Sequence, residues 1–225
     1  MRAITKLSEP ASLTEHRETK NADFDNLPQE AKQELRERLV AEQRGLCCYC
    51  CGRITPEAGK MKVEHWRSQS PNKYPQHQLD YWNLLGACMG NEGQPENLQH
   101  CDTQKRDREL TLNPSNPEHR IEEVIHYLTD GSVRSDDHDF NAQLGENPRA
   151  VHQDSKRILN LNLPFLMNNR KASLDAFQKG LTKRGSLQKI TLQKLLAKWS
   201  SDDGAQLDPY SPVVVHWLKK KLRKV

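Results

Sequence analysis

The sequence predicts an α+β chain. Three observations carry that reading: a helix-patterned stretch runs into a block of four cysteines, two short stretches read as strands, and the last third returns to leucines at helical spacing. The first helix is expected in "DNLPQEAKQELRERLVAEQRG", with Pro28 near its start, Ala31, Leu35 and Leu39 on one face, and Gly45 just past its end. It delivers the chain into "CCYCCG". A turn-rich "GRITPEAGK" then leads to "MKVEHW", read as a short strand.

The polar loop "RSQSPNKYPQHQLD" follows, then the short apolar segment "YWNLL" and a Gly- and Pro-containing loop, "ACMGNEGQPENLQHC". "DTQKRDREL" is expected as a helix beginning near Cys101. Beyond "LNPSNPE", the stretch "EVIHYLTDGSVRS" reads as a hairpin turned at Asp130 and Gly131. Three helices are expected over 149–159, 164–181 and 186–199, the last two buried through Leu174, Phe177 and Leu181, and through Leu192, Leu195, Leu196 and Trp199. The chain divides into an N-terminal arm and helix (1–45), a core (46–115), and a hairpin with a helical C-terminal region (116–225).

A mean hydropathy of −0.90 is low, but recurrent leucines and aromatics argue against wholesale disorder. No apolar run approaches the roughly 18 residues of a membrane span, and "MRAITKLSEP" lacks a signal-peptide core, so a cytoplasmic, membrane-free protein is expected. The charge is unevenly laid out. Residues 1–164 hold 21 Lys+Arg against 26 Asp+Glu, net −5, and residues 165–225 hold 13 against 4, net +9. The basic segment suits contact with phosphate backbones or an acidic partner, or serves as a solubilising helix surface.

With no export signal, the six cysteines point to metal rather than disulfides. Cys47 and Cys50 form a Cys-x-x-Cys pair that places two thiolates on one tight turn, and Cys88 with Cys101 supplies a second pair to close a tetrahedron around zinc. The twelve residues between Cys88 and Cys101 are a wide gap, which a loop excursion over 89–100 accommodates. Cys48 and Cys51 share the same spacing, so the register is open; Tyr49 in a C-x-Y-C position favours Cys47 and Cys50.

Within this frame the order of residues is informative. Glu64, His65 and Asn83 lie between the two cysteine pairs, and Asp102 follows Cys101, with Lys105 three further on. Through "CCYC", "VEHW", "YWNLL" and "HCDTQK", residues 47 to about 110 resemble the HNH endonuclease family. The likeness extends to the PtuB-like HNH subunit of Septu-type and retron-linked anti-phage defence systems, in the wide second cysteine pair, in "CD" before the lysine, and in "RILNLNLPFLMNNRKA".

That resemblance implies a ββα-metal (HNH) nuclease core stapled by structural zinc, between mostly helical N- and C-terminal regions. It implies hydrolysis of phosphodiester bonds, of DNA in the first instance or of an RNA such as tRNA, and a PtuA-like ABC/SMC-type ATPase as partner, extending to a retron reverse transcriptase complex. His65 becomes the general base. Glu64 and Asp102 become oxygen ligands to Mg²⁺ or Mn²⁺, Asn83 secures the loop that carries His65, and Lys105 and Arg106 contact phosphate. The family more often has His or Asn at the place of Asp102, and Asp or His at that of Glu64. Adjacent strand residues point to opposite faces, so Glu64 and His65 serve one site only where the strand ends or bulges. A zinc-knuckle adaptor that binds the ATPase or nucleic acid without cutting is the rival reading.

Overall fold

Eight α-helices and two antiparallel strand pairs make up the described part of the chain, residues 1–70, 72–145, 157–182, 188–200 and 206–224 of a computed structural model. The first helix, α1 (Ala11–Arg17), was not legible in the sequence because it buries only Leu13 and so leaves no periodic signal. Helix α2 (Gln29–Glu42) starts at Pro28, whose fixed φ suits a helix entry, and buries Ala31, Leu35 and Leu39 as their spacing requires. Strands β1 (Met61–His65) and β2 (Leu84–Cys88) pair antiparallel, with Glu64 opposite Leu85 and His65 opposite Leu84. The expected helix after Cys101 is only five residues long. This helix, α3 (Cys101–Lys105), stops because Arg106 takes a left-handed φ of 53°.

The four-residue α4 (Ile121–Val124) enters the expected hairpin, β3 (Ile125–Tyr127) with β4 (Val133–Ser135). Its turn is closed by Asp130 Oδ1, which accepts from the Ser132 backbone and hydroxyl, and by Gly131 at φ +85°. Helix α5 (His138–Leu144) follows, capped by Asp137. The helix expected over 149–159 falls mostly outside the described residues, and 157–159 are not helical. Helices α6 (Pro164–Thr182) and α7 (Lys189–Ser200) stand where expected. Beyond the expected helices stands α8 (Ser211–Leu222), whose lysines leave one face free for Val213, Val214 and Leu218 to be buried.

Two main apolar clusters hold these elements. One runs without a break from Met1 and Leu13 through Leu85 and Phe140 to Leu166, so packing does not stop near residue 115. The other joins α6, α7 and α8 through Leu174, Leu192, Val214 and Leu218, with Phe177, Trp199 and Trp217 against it. Backbone bonds tie the C-terminal segment to the cysteine loop: Leu207 N to Arg44 O (3.1 Å) and Tyr210 N to Cys51 O (2.8 Å). Residues 165–225 are therefore not a detachable appendage. No helix among the described residues is long and apolar enough to cross a membrane.

Candidate metal centre and adjoining site

The cysteine loop begins where α2 ends. Gly45 reverses the chain at φ +73°, and Cys47 N then donates to Gly52 O while Cys51 N donates to Cys47 O, which folds "CCYCCG" into a tight knuckle. Cys88 arrives at the end of β2 and Cys101 at the start of α3. The sulfurs of Cys47, Cys50, Cys88 and Cys101 all lie within 4.8 Å of one another, and the Cys47–Cys101 and Cys50–Cys88 separations are 3.9 and 3.8 Å. A regular tetrahedron with Zn–S bonds of 2.3 Å has sulfurs about 3.8 Å apart. The donor set therefore fits zinc, and it decides the register in favour of Cys47 and Cys50. Cys48 and Cys51 are buried beside the group without joining it.

One of the four thiols, that of Cys47, is shifted toward ionisation. Burial opposes ionisation of Cys47, yet hydrogen bonds from Cys101, Cys48, Cys50 and Cys88 outweigh it and hold that thiol well below its usual range. Burial, and then the bond to Cys47, hold Cys101 well above. Backbone N–H groups of Gly52 and Cys88 donate to Cys50 Sγ and Cys47 Sγ, both at 3.3 Å. His100, a spare ligand candidate by position, is not in the four-sulfur group; its Nδ1 lies 3.1 Å from Cys101 Sγ and its ring against Phe165.

The wide gap between Cys88 and Cys101 is a closed loop. His100 N donates to Gly90 O, and the Asn160 amide donates to Asn97 O and Gln99 O, while Cys101 N donates to Leu159 O. Part of "RILNLNL" thus buckles the loop to the C-terminal region, a role that no spacing rule would reveal. A Cβ at Gly90, where φ is +54°, would stand 2.2 Å from His100 O. Gly90→Ala is expected to destabilise the protein by about 1–3 kcal/mol. Denaturant unfolding with zinc content measured alongside checks this, and an unchanged midpoint would mean that the loop does not need that close approach.

Beside the knuckle, β1 ends at the pair it was expected to end at. Glu64 and His65 are 1% and 7% exposed. Glu64 Oε1 accepts from the Tyr49 hydroxyl (2.6 Å) and the Lys105 ammonium (2.8 Å), and the same ammonium donates to His65 O (3.0 Å). Burial, opposed by Lys105 but reinforced by the Asp102 carboxylate, holds Glu64 well above the usual carboxylate range. His65 Nε2 lies 2.9 Å from Gln78 O, and the ring meets Phe24 edge-on. A carbonyl only accepts, so Nε2 carries the proton. Burial lowers the ring's pKa to about 4, leaving Nδ1 as a free lone pair at neutral pH.

Asn83 secures the loop after β1. Its Oδ1 accepts from Arg67 N (2.7 Å), and its Nδ2 donates to Arg67 O (2.9 Å) and His77 O (3.0 Å). Asp102 is partly exposed on α3, 3.8 Å from Lys62. Arg106 is exposed, 3.6 Å from Glu96. Lys105 departs from its expected place: it is fully buried and its charge is spent on Glu64, so it presents no free cation to a phosphate. Tyr49 is the residue that sequence reasoning passed over, its pattern position having been used only to choose the cysteine register.

Glu64 and Asp102 form an oxygen-only pair of the kind Mg²⁺ and Mn²⁺ prefer. Their mutual repulsion is what a divalent cation relieves, and the donors on Glu64 both meet Oε1. Among the described residues, only the four cysteines converge as a group of three or more metal-ligating side chains.

The fold and the site together define a mixed α+β protein with a four-cysteine centre. No family model matches the chain, and a search of curated proteins finds no matching relative.

Proposed function

We propose that this chain is a metal-dependent HNH endonuclease that hydrolyses phosphodiester bonds, with DNA as the first substrate class to test. The observation that supports the reading best is the junction of β1 and α3 beside the four-cysteine centre. There a buried, neutral imidazole has its proton on the nitrogen bound to Gln78 O, and two carboxylates adjoin it.

In this reading His65 Nδ1 takes the proton of the attacking water, and the Gln78 carbonyl keeps the ring from turning. Glu64 and Asp102 would hold a divalent ion, which would supply Lewis-acid stabilisation of charge on the phosphate. Lys105 holds Glu64 in place and offsets one of the two carboxylate charges. Asn83 fixes the backbone that follows His65. Cys47, Cys50, Cys88 and Cys101 would hold a zinc ion that ties the ends of β2 and α3 to the cysteine knuckle.

The wider proposal, an anti-phage effector working with a PtuA-like ATPase, rests on the resemblance and on the net charge of +9 over residues 165–225. The adaptor reading has one observation in its favour, the closure of Lys105 onto Glu64. Incubation of the zinc-loaded full chain with plasmid, single-stranded DNA and tRNA in Mg²⁺ or Mn²⁺, alone and with a PtuA-like ATPase, separates the readings. Metal-dependent cleavage of any of these supports the nuclease; intact substrates under every condition would leave only the adaptor.

A further inference from the structure

The loop between Trp66 and Asn83 carries a set of groups that catalysis by His65 does not use. The Arg67 guanidinium lies over two rings at once, 5.6 Å from the centroid of Trp66 and 5.1 Å from that of Tyr74. Tyr74 in turn leans on His77, with centroids 6.2 Å apart. Arg67 is exposed, and among the described residues no carboxylate lies within ion-pair distance of it. Its backbone is clamped on both its N–H and its C=O by the Asn83 amide.

Immediately before Asn83, Trp82 is 63% exposed. It stands on a short 3₁₀ turn, Tyr81–Asn83, that is capped by Asp80 Oδ1 on Trp82 N. A lone exposed tryptophan needs no explanation on a protein surface. This one adjoins in sequence the residue, Asn83, that holds the backbone of Arg67 two residues after His65. A π-face beside a guanidinium is the combination that holds unpaired bases and the phosphates between them.

We propose that Arg67 and Trp82 form a binding platform for an unpaired stretch of nucleic acid next to the scissile bond, with Arg67 on a phosphate and Trp82 stacking a base. This rests on the nuclease reading and narrows its substrate to strands that are single, or opened, at the cut. Arg67 takes the phosphate role for which Lys105 is too deeply buried. The Asn83 clamp then positions two things, the backbone after His65 and the cation that reads the substrate.

The test is equilibrium binding of the zinc-loaded full chain to cleavage-resistant phosphorothioate oligonucleotides of one sequence: single-stranded DNA, single-stranded RNA and duplex DNA. The single strands are expected to bind more tightly than the duplex. Trp82→Ala is expected to weaken them by roughly 5- to 150-fold, the range for one stacked base, and to change duplex binding less than about 2-fold. Arg67→Gln is expected to lower the salt dependence of single-strand binding by about 0.7 in log–log slope. The RNA and DNA arms identify which strand the platform takes. Both variants are surface changes, and zinc content with thermal unfolding confirms that they fold. Tight binding of single strands that ignores both substitutions overturns the platform alone and makes Trp82 a protein-contact residue. No binding of any oligonucleotide overturns the platform, and the nuclease reading then stands or falls on the cleavage assay.

Discussion

Cys101→Ser is expected to abolish both zinc binding and cooperative unfolding. A structural zinc site couples on the order of 10 kcal/mol of binding to folding, comparable with the whole stability of a typical domain, about 5–15 kcal/mol. Cys101 is the sulfur through which α3 joins the knuckle, and its neighbours Asp102 and Lys105 are placed from there. Metal analysis of the parent should give about one zinc per chain, and Cys50→Ser should behave as Cys101→Ser does. Cys48→Ala is the control, since Cys48 is buried outside the four-sulfur group and its loss should leave the zinc in place. A parent protein that unfolds identically with and without a strong chelator would sink the structural role of the centre.

His65→Ala is expected to lower cleavage by roughly 10²- to 10⁴-fold, the usual contribution of a general base, with zinc content and the single unfolding transition retained. No concentration of Mg²⁺ should restore it. Asp102→Ala should instead respond to added metal, because it removes a ligand and leaves the base in place. Glu64 calls for a gentler change. Truncating Glu64→Ala strands the Lys105 ammonium in a fully buried position, a fault that costs about 3–5 kcal/mol, so its loss of activity would report unfolding as much as metal binding. Glu64→Gln keeps a hydrogen-bond acceptor for Tyr49 and Lys105 and weakens only the charge. Undiminished cleavage by a folded His65→Ala protein would remove the imidazole from the mechanism and with it the HNH assignment.

Much of this was legible from spacing alone. Ala31, Leu35 and Leu39 announce α2, and Asp130–Gly131 announces its turn because few other pairs take that backbone so readily. The four cysteines that converge were legible too, although the choice against Cys48 and Cys51 needed the sulfur positions. Helix α8 was not, because a run of lysines hides the apolar face that Val213, Val214 and Leu218 bury. Nor was the fate of Lys105. Its position three residues after Asp102 suggests a phosphate contact, whereas the short α3 turns its ammonium inward to Glu64 and the carbonyl of His65. Pairings of this kind depend on where a helix stops, and a backbone reversal such as that at Arg106 carries no sequence signature of its own.

The bonds from Leu207 and Tyr210 onto the cysteine loop have a consequence for synthesis on the ribosome. All four zinc ligands have been made once residue 101 has been added, yet the segment that covers Arg44 and Cys51 is translated about a hundred residues later. At elongation rates of about 5–20 residues per second, that leaves an interval of several seconds in which the knuckle exists without its cover. The knuckle and its cover are therefore made in two stages, and the four cysteines can close on a metal before Leu207 and Tyr210 reach the loop.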